Sequence, residues 1–271
     1  MNNPKNVFNN IFQRMLKKFY NFSHPVVGEI LMMHQVSQTR TSDKERYDLE
    51  ITPTFLEQTI LKYKQMGYRF ANLDEIYKQM TEHKRSGKKF VCFTFDDGYF
   101  NNFTLAYPIF KKYDCPFSIY VCGDKTKTDE IGITSEQIKI LADEPLCTIG
   151  AHTLTHPHLE ILDYTAQNQE IAENKMQLEN LINKKVEHFS YPYGSYNAET
   201  LEILKKLGFK TAALNLGDKV RKGRPLLQLY RRNIVEAWKF DFLLISNKNA
   251  IFVENFTYKK KSIIFAEKFY L

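Results

Sequence analysis

Two adjacent carboxylates, Asp96 and Asp97, and two imidazoles, His152 and His156, are the side chains best suited by type and spacing to do chemistry. The carboxylates sit in Thr94-Phe95-Asp96-Asp97-Gly98, directly after the apolar run from Val91 to Phe95. The imidazoles frame His152-Thr153-Leu154-Thr155-His156, after a short strand ending at Ala151. Two histidines and one carboxylate can hold a divalent metal and leave room for water, whose pKa zinc lowers to about 7 while it polarises a bound carbonyl. Neighbouring residues at a strand end point in different directions, so one carboxylate can bind metal while the other stays free as a base. Such a set suits metal-assisted hydrolysis. Each motif has an ordinary reading too: Asp-Asp-Gly is often a turn, and HxxxH is often a solvated helix face. Both fall at predicted strand ends, which favours the joint site. The spacing of four puts both imidazoles on one side if the loop takes a helical turn.

The elements that must position these groups alternate between strand and helix. Glu29 to Met33 reads as a buried strand ending at His34. Thr54-Phe55-Leu56-Glu57 is a capping box opening a helix to about Gly67. A short strand at Tyr68 to Ala71, a helix from Leu73 to about His83 and the apolar strand Phe90 to Phe95 follow. Tyr99 to Tyr113 has helical spacing with Pro108 inside it, and Phe117 to Cys122 returns to strand. Thr134 to Gln137 is a second capping box, Cys147 to Ala151 a strand, and Asp163 to Lys184 the longest helix. Glu187 to Tyr191, Phe209 to Leu214 and Leu226 to Tyr230 are further strands, with a helix capped by Asn197 and ending at Gly208. This alternation, without a GxGxxG or GxxxxGK[ST] loop, fits a parallel barrel better than a nucleotide-binding open sheet. In such a barrel, reactive groups sit where strands end.

Composition sets few further bounds. The chain has 271 residues, 43% of them hydrophobic, and a formal charge of +7. The charge is spread over short pairs and one denser stretch at Lys219, Arg221, Lys222 and Arg224, with no nucleic-acid-reading motif, so no nucleic-acid partner is expected. Cys92, Cys115, Cys122 and Cys147 form no CxxC pair and read as buried thiols of a reducing compartment. The N-terminus shows no apolar leader region and nothing reaches the length of a membrane span, so a cytoplasmic location is expected, with a peripheral or exported form left open. Ile11 to Phe22 mixes basic and bulky apolar residues, which allows weak membrane-surface contact. Nothing bears on oligomeric state.

The two motifs together resemble the polysaccharide deacetylases, also called NodB-homology domains or carbohydrate esterase family 4. The family's first motif, TFDDG, is present unaltered, and its second, H[ST]xxH, is present at His152 to His156. The resemblance implies that Asp97, His152 and His156 bind one divalent metal, usually zinc, and that Asp96 is the base activating the water. The third motif, RxPY, corresponds to Ser190-Tyr191-Pro192-Tyr193, without its arginine. In the family that arginine orients the base, so either Arg231 or Arg232 substitutes from a neighbouring strand end, or Asp96 is tuned differently. The resemblance also implies that the Tyr193 backbone N–H helps hold the oxyanion.

The family's general acid is a histidine after an apolar strand near the C-terminus, but here no histidine follows His188. Ile30 to Val36 instead presents His34 near the start, which resembles the circularly permuted branch containing poly-N-acetylglucosamine deacetylases. In a closed barrel the first and last strands are neighbours, so moving this strand preserves the site. His34 is the candidate acid, against the plainer reading of a packed core histidine, and Asp218 is one candidate for its partner. His158 reads as support for the metal loop, and His24, His83 and His188 as surface or packing residues. The resemblance covers residues 28 to 235.

It implies a distorted (β/α)7-type barrel of the deacetylase kind, circularly permuted, over 28–235. Residues 1–27 form an N-terminal extension, and 236–271 form C-terminal elements packed on the same domain. The implied activity removes N-acetyl groups from amino sugars of a glycan. An esterase or other amide hydrolase on the same barrel, and a non-catalytic carbohydrate-binding relative, are the competing readings.

Overall fold

In the computed structural model, the described residues are 22–38, 49–82, 87–124, 131–215, 217 and 219–236. Their strands are β1 (Val26–Met33), β2 (Gln35–Val36), β3 (Glu50–Ile51), β4 (Arg69–Phe70), β5 (Phe90–Phe95), β6 (Phe117–Val121), β7 (Cys147–Ala151), β8 (His188–Ser190), β9 (Thr211–Ala213), β10 (Val220–Arg221) and β11 (Arg232–Asn233). The α-helices are α1 (Pro53–Gln65), α2 (Leu73–Thr81), α3 (Tyr107–Lys112), α4 (Ser135–Asp143), α5 (Tyr164–Ile182) and α6 (Ala198–Lys206).

Every residue of β5 is buried, as a continuous apolar run requires when both faces of a parallel sheet are covered. The main sheet runs β10-β1-β5-β6-β7-β8-β9, with β11 on β1 and β4 on β5. All pairings are parallel except β1 with β10. One edge of β1 is shared: Val26 and Gly28 face β10, while Leu31 and Met32 face β11. A bridge from Ala213 to Leu229 continues the curl beyond β9. The result is a distorted α/β half-barrel with a curled mixed sheet.

Alternate residues of the strands feed two apolar clusters. Leu31, Phe93, Phe95 and Ile119 pack with the helices, whereas Ile30, Cys92, Tyr120 and Ala213 pack together on the other face. On that second face a Cβ at Gly150 would stand 2.4 Å from the Tyr120 ring, so only glycine admits the ring there. All four cysteines are free thiols; Cys92, Cys115 and Cys122 are buried as expected, whereas Cys147 is only partly buried.

The capping signals at Thr134 and Asn197 hold, and Asp163 caps α5 in the same way, each side chain accepting from the third following amide. Three expectations are corrected. The first helix is capped by Thr52 rather than Thr54, because Pro53 takes the first helical position, where its missing N–H costs nothing. Tyr99 to Tyr113 is not one helix: a π-helical stretch, Asn102–Ala106, precedes α3, and Pro108 falls in the first turn of α3. Leu226 to Tyr230 is not a strand but a 3-10 turn, Leu226–Gln228, entered from Pro225, and the strand follows at β11.

The chain divides into two compact units, Met1–Glu236 and Ala237–Leu271. The second unit, the expected amphipathic stretch up to Asn21, His83 and Asp218 lie outside the described residues. No helix among the described residues is long and apolar enough to cross a membrane.

Candidate active site

The parallel strands all end on one side, and their exits deliver the groups singled out from the sequence. Asp96 leaves β5 with its N–H bonded to the Met33 carbonyl, 3.0 Å away, which ties it to the strand that ends at His34. Asp97 then turns into the left-handed region at φ 74°, and Gly98 follows at φ 78°. This reversal sends the two carboxylates to different places. Asp97 joins His152 and His156 in a group whose ligand atoms lie within 4.8 Å of one another.

The donor set fits a metal. Asp97 Oδ1 is buried without a hydrogen-bond partner, and it stands 3.6 Å from His152 Nε2 and 3.4 Å from His156 Nε2. An orphaned buried oxygen is costly unless something else satisfies it. His152 Nδ1 lies 2.7 Å from the Ser190 carbonyl, which can only accept, so Nδ1 carries the proton and Nε2 turns its lone pair toward Asp97. Fixing the ring from its far nitrogen in this way is what metal-binding histidines require.

The loop carrying these imidazoles is not a helical turn, contrary to the spacing argument. Thr153 and His156 have φ of 64° and 62°, a conformation a helix does not contain. Of the six non-glycine residues with positive φ among those described, Asp97, Thr153, His156 and Tyr193 lie in this site. Such conformations cost about 1–3 kcal/mol each and persist where surrounding structure enforces them.

Asp96 does not share the group. Its carboxylate is buried and receives Arg231 Nη1 on Oδ1 and Nη2 on Oδ2, each at 2.6 Å. Arg231 is itself fully buried and also donates to Ser190 Oγ, Asn215 Oδ1, Thr94 Oγ1 and the Leu214 carbonyl. Burial by itself would raise the Asp96 pKa, but the Arg231 charge and its hydrogen bonds outweigh that and hold the carboxyl well below the usual range. Of the two substitutes considered from the sequence, Arg231 thus faces Asp96. Arg232 turns to the opposite side and pairs with Glu29 at 3.5 Å. Ser190, standing where the family has arginine, donates to Asp96 Oδ2 at 3.1 Å.

His34 lies at the end of β1, with Nδ1 buried and unpaired. Burial lowers its pKa, opposed by the charges of Asp96 and Asp97. Its carbonyl accepts from Asn102 Nδ2 at 2.8 Å, and Asn101 holds the next two residues through Val36 N and Gln35 Oε1. Tyr193 sits in the turn after β8 at φ 58°, 56% exposed, with its ring stacked on His158 at 4.0 Å. His188 is a packing residue bonded to Thr211, as expected.

The sequence reading missed Asn102, Asn215, Glu170 and Asn174. The last two sit on α5 facing the loop that carries His152 and His156, and their only signal is polar character beside the apolar stripe of that helix.

The strand exits of this half-barrel gather an Asp-His-His cluster beside an arginine-held carboxylate, and comparison with known proteins gives the site a class. Residues 83–212 match the sequence model of the family described as polysaccharide deacetylase. YxkH of Bacillus subtilis (strain 168), named for that family, is 29% identical over 207 residues, 76% of this chain and 71% of its own. The structure of Streptococcus pyogenes deacetylase PplD, in complex with acetate, superposes with a TM-score of 0.74 at 28% identity over 83% of this chain and 100% of that one. IcaB from Ammonifex degensii shares the fold, with a TM-score of 0.67 at 24% identity over 79% of this chain and 94% of its own. Residues 83–212 thus carry a polysaccharide deacetylase domain, and the relatives and structural neighbours together indicate a hydrolytic deacetylase. The matched stretch holds both motifs but stops short of His34 on one side and Arg231 on the other.

Proposed function

We propose that this protein removes N-acetyl groups from amino sugars of a glycan, using one divalent metal, with zinc favoured by the His₂Asp donor set. The observation that carries the proposal is the orphaned Asp97 Oδ1 facing two imidazoles whose ligand atoms share its neighbourhood. When bound there, the cation acts as a Lewis acid toward the acetyl carbonyl and acidifies the attacking water.

The remaining chemistry belongs to the chain. Asp96, kept ionised by Arg231, accepts the proton of the attacking water. The Tyr193 N–H, carried on a left-handed turn, supports the oxyanion. His34, at the end of the strand beside Asp96, delivers a proton to the departing nitrogen. The products are acetate and a primary amine. The missing motif arginine, which favours a non-catalytic relative, loses force once Arg231 holds the base. We also propose the permuted strand order, because β1, which ends at His34, lies between β5 and the late strand β11.

The test is release of acetate with an equal amount of new amine from N-acetylated oligosaccharides, by protein stripped of metal and then given Zn²⁺. Acetate without amine means an esterase. Turnover indifferent to stripping removes the metal from the mechanism.

A further inference from the structure

We infer that Glu170, with Asn174 one helical turn further along α5, is a positioning device for the metal-binding loop, acting by hydrogen-bond geometry rather than by charge. The inference rests on the reading of Asp97, His152 and His156 as metal ligands. Residues 152 to 156 leave β7 in a path that belongs to no helix or strand, with left-handed conformations at Thr153 and His156. Glu170 takes hold of the middle of that path. Its Oε2 accepts from both Leu154 N and Thr155 N at 2.9 Å, and its Oε1 accepts from Thr155 Oγ1 at 2.7 Å. The Leu154 N–H is shared with the Glu170 carbonyl at 3.2 Å.

Asn174 holds the start of the loop. Its Oδ1 accepts from His152 N at 3.0 Å, and its Nδ2 donates to the Val121 carbonyl at 3.3 Å, so one buried amide locks the ligand's backbone to the end of β6. Residues four apart on a helix share a face, which is why one rigid element can grip both places. The other side of the loop is held by Gly123 N on the Thr153 carbonyl and Asp124 N on the Leu154 carbonyl. His156 N–H turns inward onto Thr153 Oγ1 at 3.1 Å. None of these groups touches the metal ligands' ring nitrogens. Their effect is to prepay the strained backbone that brings His156 beside His152, so that metal binding need not supply that ordering.

Charge and geometry separate cleanly at Glu170. A glutamine can accept both amides on one oxygen and donate its NH₂ to the Thr155 hydroxyl, whereas alanine supports neither. The experiment titrates metal-free, full-length protein with Co²⁺, following the cobalt absorption bands and chelator competition, alongside thermal unfolding of the metal-free forms. We expect Glu170→Ala to weaken Co²⁺ binding by roughly 10- to 100-fold, the range seen when groups behind metal ligands are removed. Glu170→Gln is expected to stay within about threefold of wild type. Should Glu170→Ala not fold, Glu170→Asp, too short to reach both amides, carries the same expected weakening. Wild-type affinity in Glu170→Ala or Glu170→Asp overturns the inference, and so does equal weakening in Glu170→Gln, which would make charge the cause. A wild-type protein that binds no Co²⁺ sinks the metal reading instead.

Discussion

Arg231 meets Asp96 as a two-pronged pair, each terminal nitrogen 2.6 Å from a different carboxylate oxygen, with both side chains fully withdrawn from water. The partners are 135 residues apart in the chain, and the arginine approaches from the segment before β11 rather than from the last residue of β8, Ser190. Ser190, at the position corresponding to the motif arginine, bonds to both members of the pair. A planar fork with two parallel hydrogen bonds fixes the carboxylate in orientation as well as charge.

Arg231→Met should therefore cost about 3–5 kcal/mol in urea unfolding, because it strands a buried carboxylate without its counter-charge. Arg231→Lys keeps a charge but loses the fork. It should fold and turn over slowly, with the acid limb of its kcat/KM profile displaced to higher pH, since Asp96 regains a proton more readily. A Lys variant with an unmoved limb would show that the guanidinium does not set the ionisation of Asp96.

The contrast between Arg231 and the two motifs explains what could be read in advance. TFDDG and HTLTH are contiguous, so their residue types advertised the chemistry and their placement after apolar runs advertised the strand exits. Arg231 carried no local mark distinguishing it from Arg232, because only the alternation of faces at β11 decides which of them turns toward Asp96 and which toward Glu29. The path between His152 and His156 was illegible for another reason. Spacing of four suggests a helical turn, but hydrogen bonds from α5 impose left-handed backbone at Thr153 and His156. Tertiary contacts overrule local pattern there.

Asp97 and Asp96 should separate under substitution. Asp97→Asn is expected to lower the metal retained after Zn²⁺ loading and dialysis by at least tenfold, since it replaces an anionic ligand by a neutral one. Asp96→Asn should keep near wild-type metal and lose on the order of 10²-fold or more in acetate release, the usual worth of a positioned base. Equal metal loss in both variants, read by elemental analysis, would erase the division of labour.

Glu29 gives a pH signature remote from the chemistry. It is 3% exposed, accepts from Tyr63 Oη at 2.9 Å and Tyr68 Oη at 3.1 Å, and lies 3.4 Å from Lys219 and 3.5 Å from Arg232. Burial raises its pKa, but the two phenols and two cations prevail and lower it. A carboxyl with a depressed folded pKa stabilises the fold above its unfolded value of about 4.3, and that contribution drains away as pH falls through the folded value. Glu29→Gln should therefore have a lower Tm at pH 7, and its Tm should fall less steeply than wild type below about pH 4.3. Parallel Tm curves for the two proteins would refute the assignment.

Asn102 should control how well His34 works without touching it through the ring. It is fully buried, accepts from Tyr99 N at 3.0 Å and donates to the His34 carbonyl at 2.8 Å, so it couples the loop leaving β5 to the end of β1. The two bonds use the two different ends of the amide, its oxygen accepting and its NH₂ donating. Asn102→Ala leaves a buried N–H and a buried carbonyl unsatisfied, a loss of about 1–3 kcal/mol in unfolding free energy. Asn102→Asp is the sharper variant: it keeps the acceptor for Tyr99 but sets a carboxylate against the His34 carbonyl, which pushes that strand end away. We expect kcat to fall in Asn102→Asp while bound Zn²⁺ stays constant, because Asp97 is held by its own turn and His152 and His156 by the exit of β7. If Zn²⁺ were lost along with kcat, Asn102 would be supporting the whole strand-end face rather than the residue at position 34.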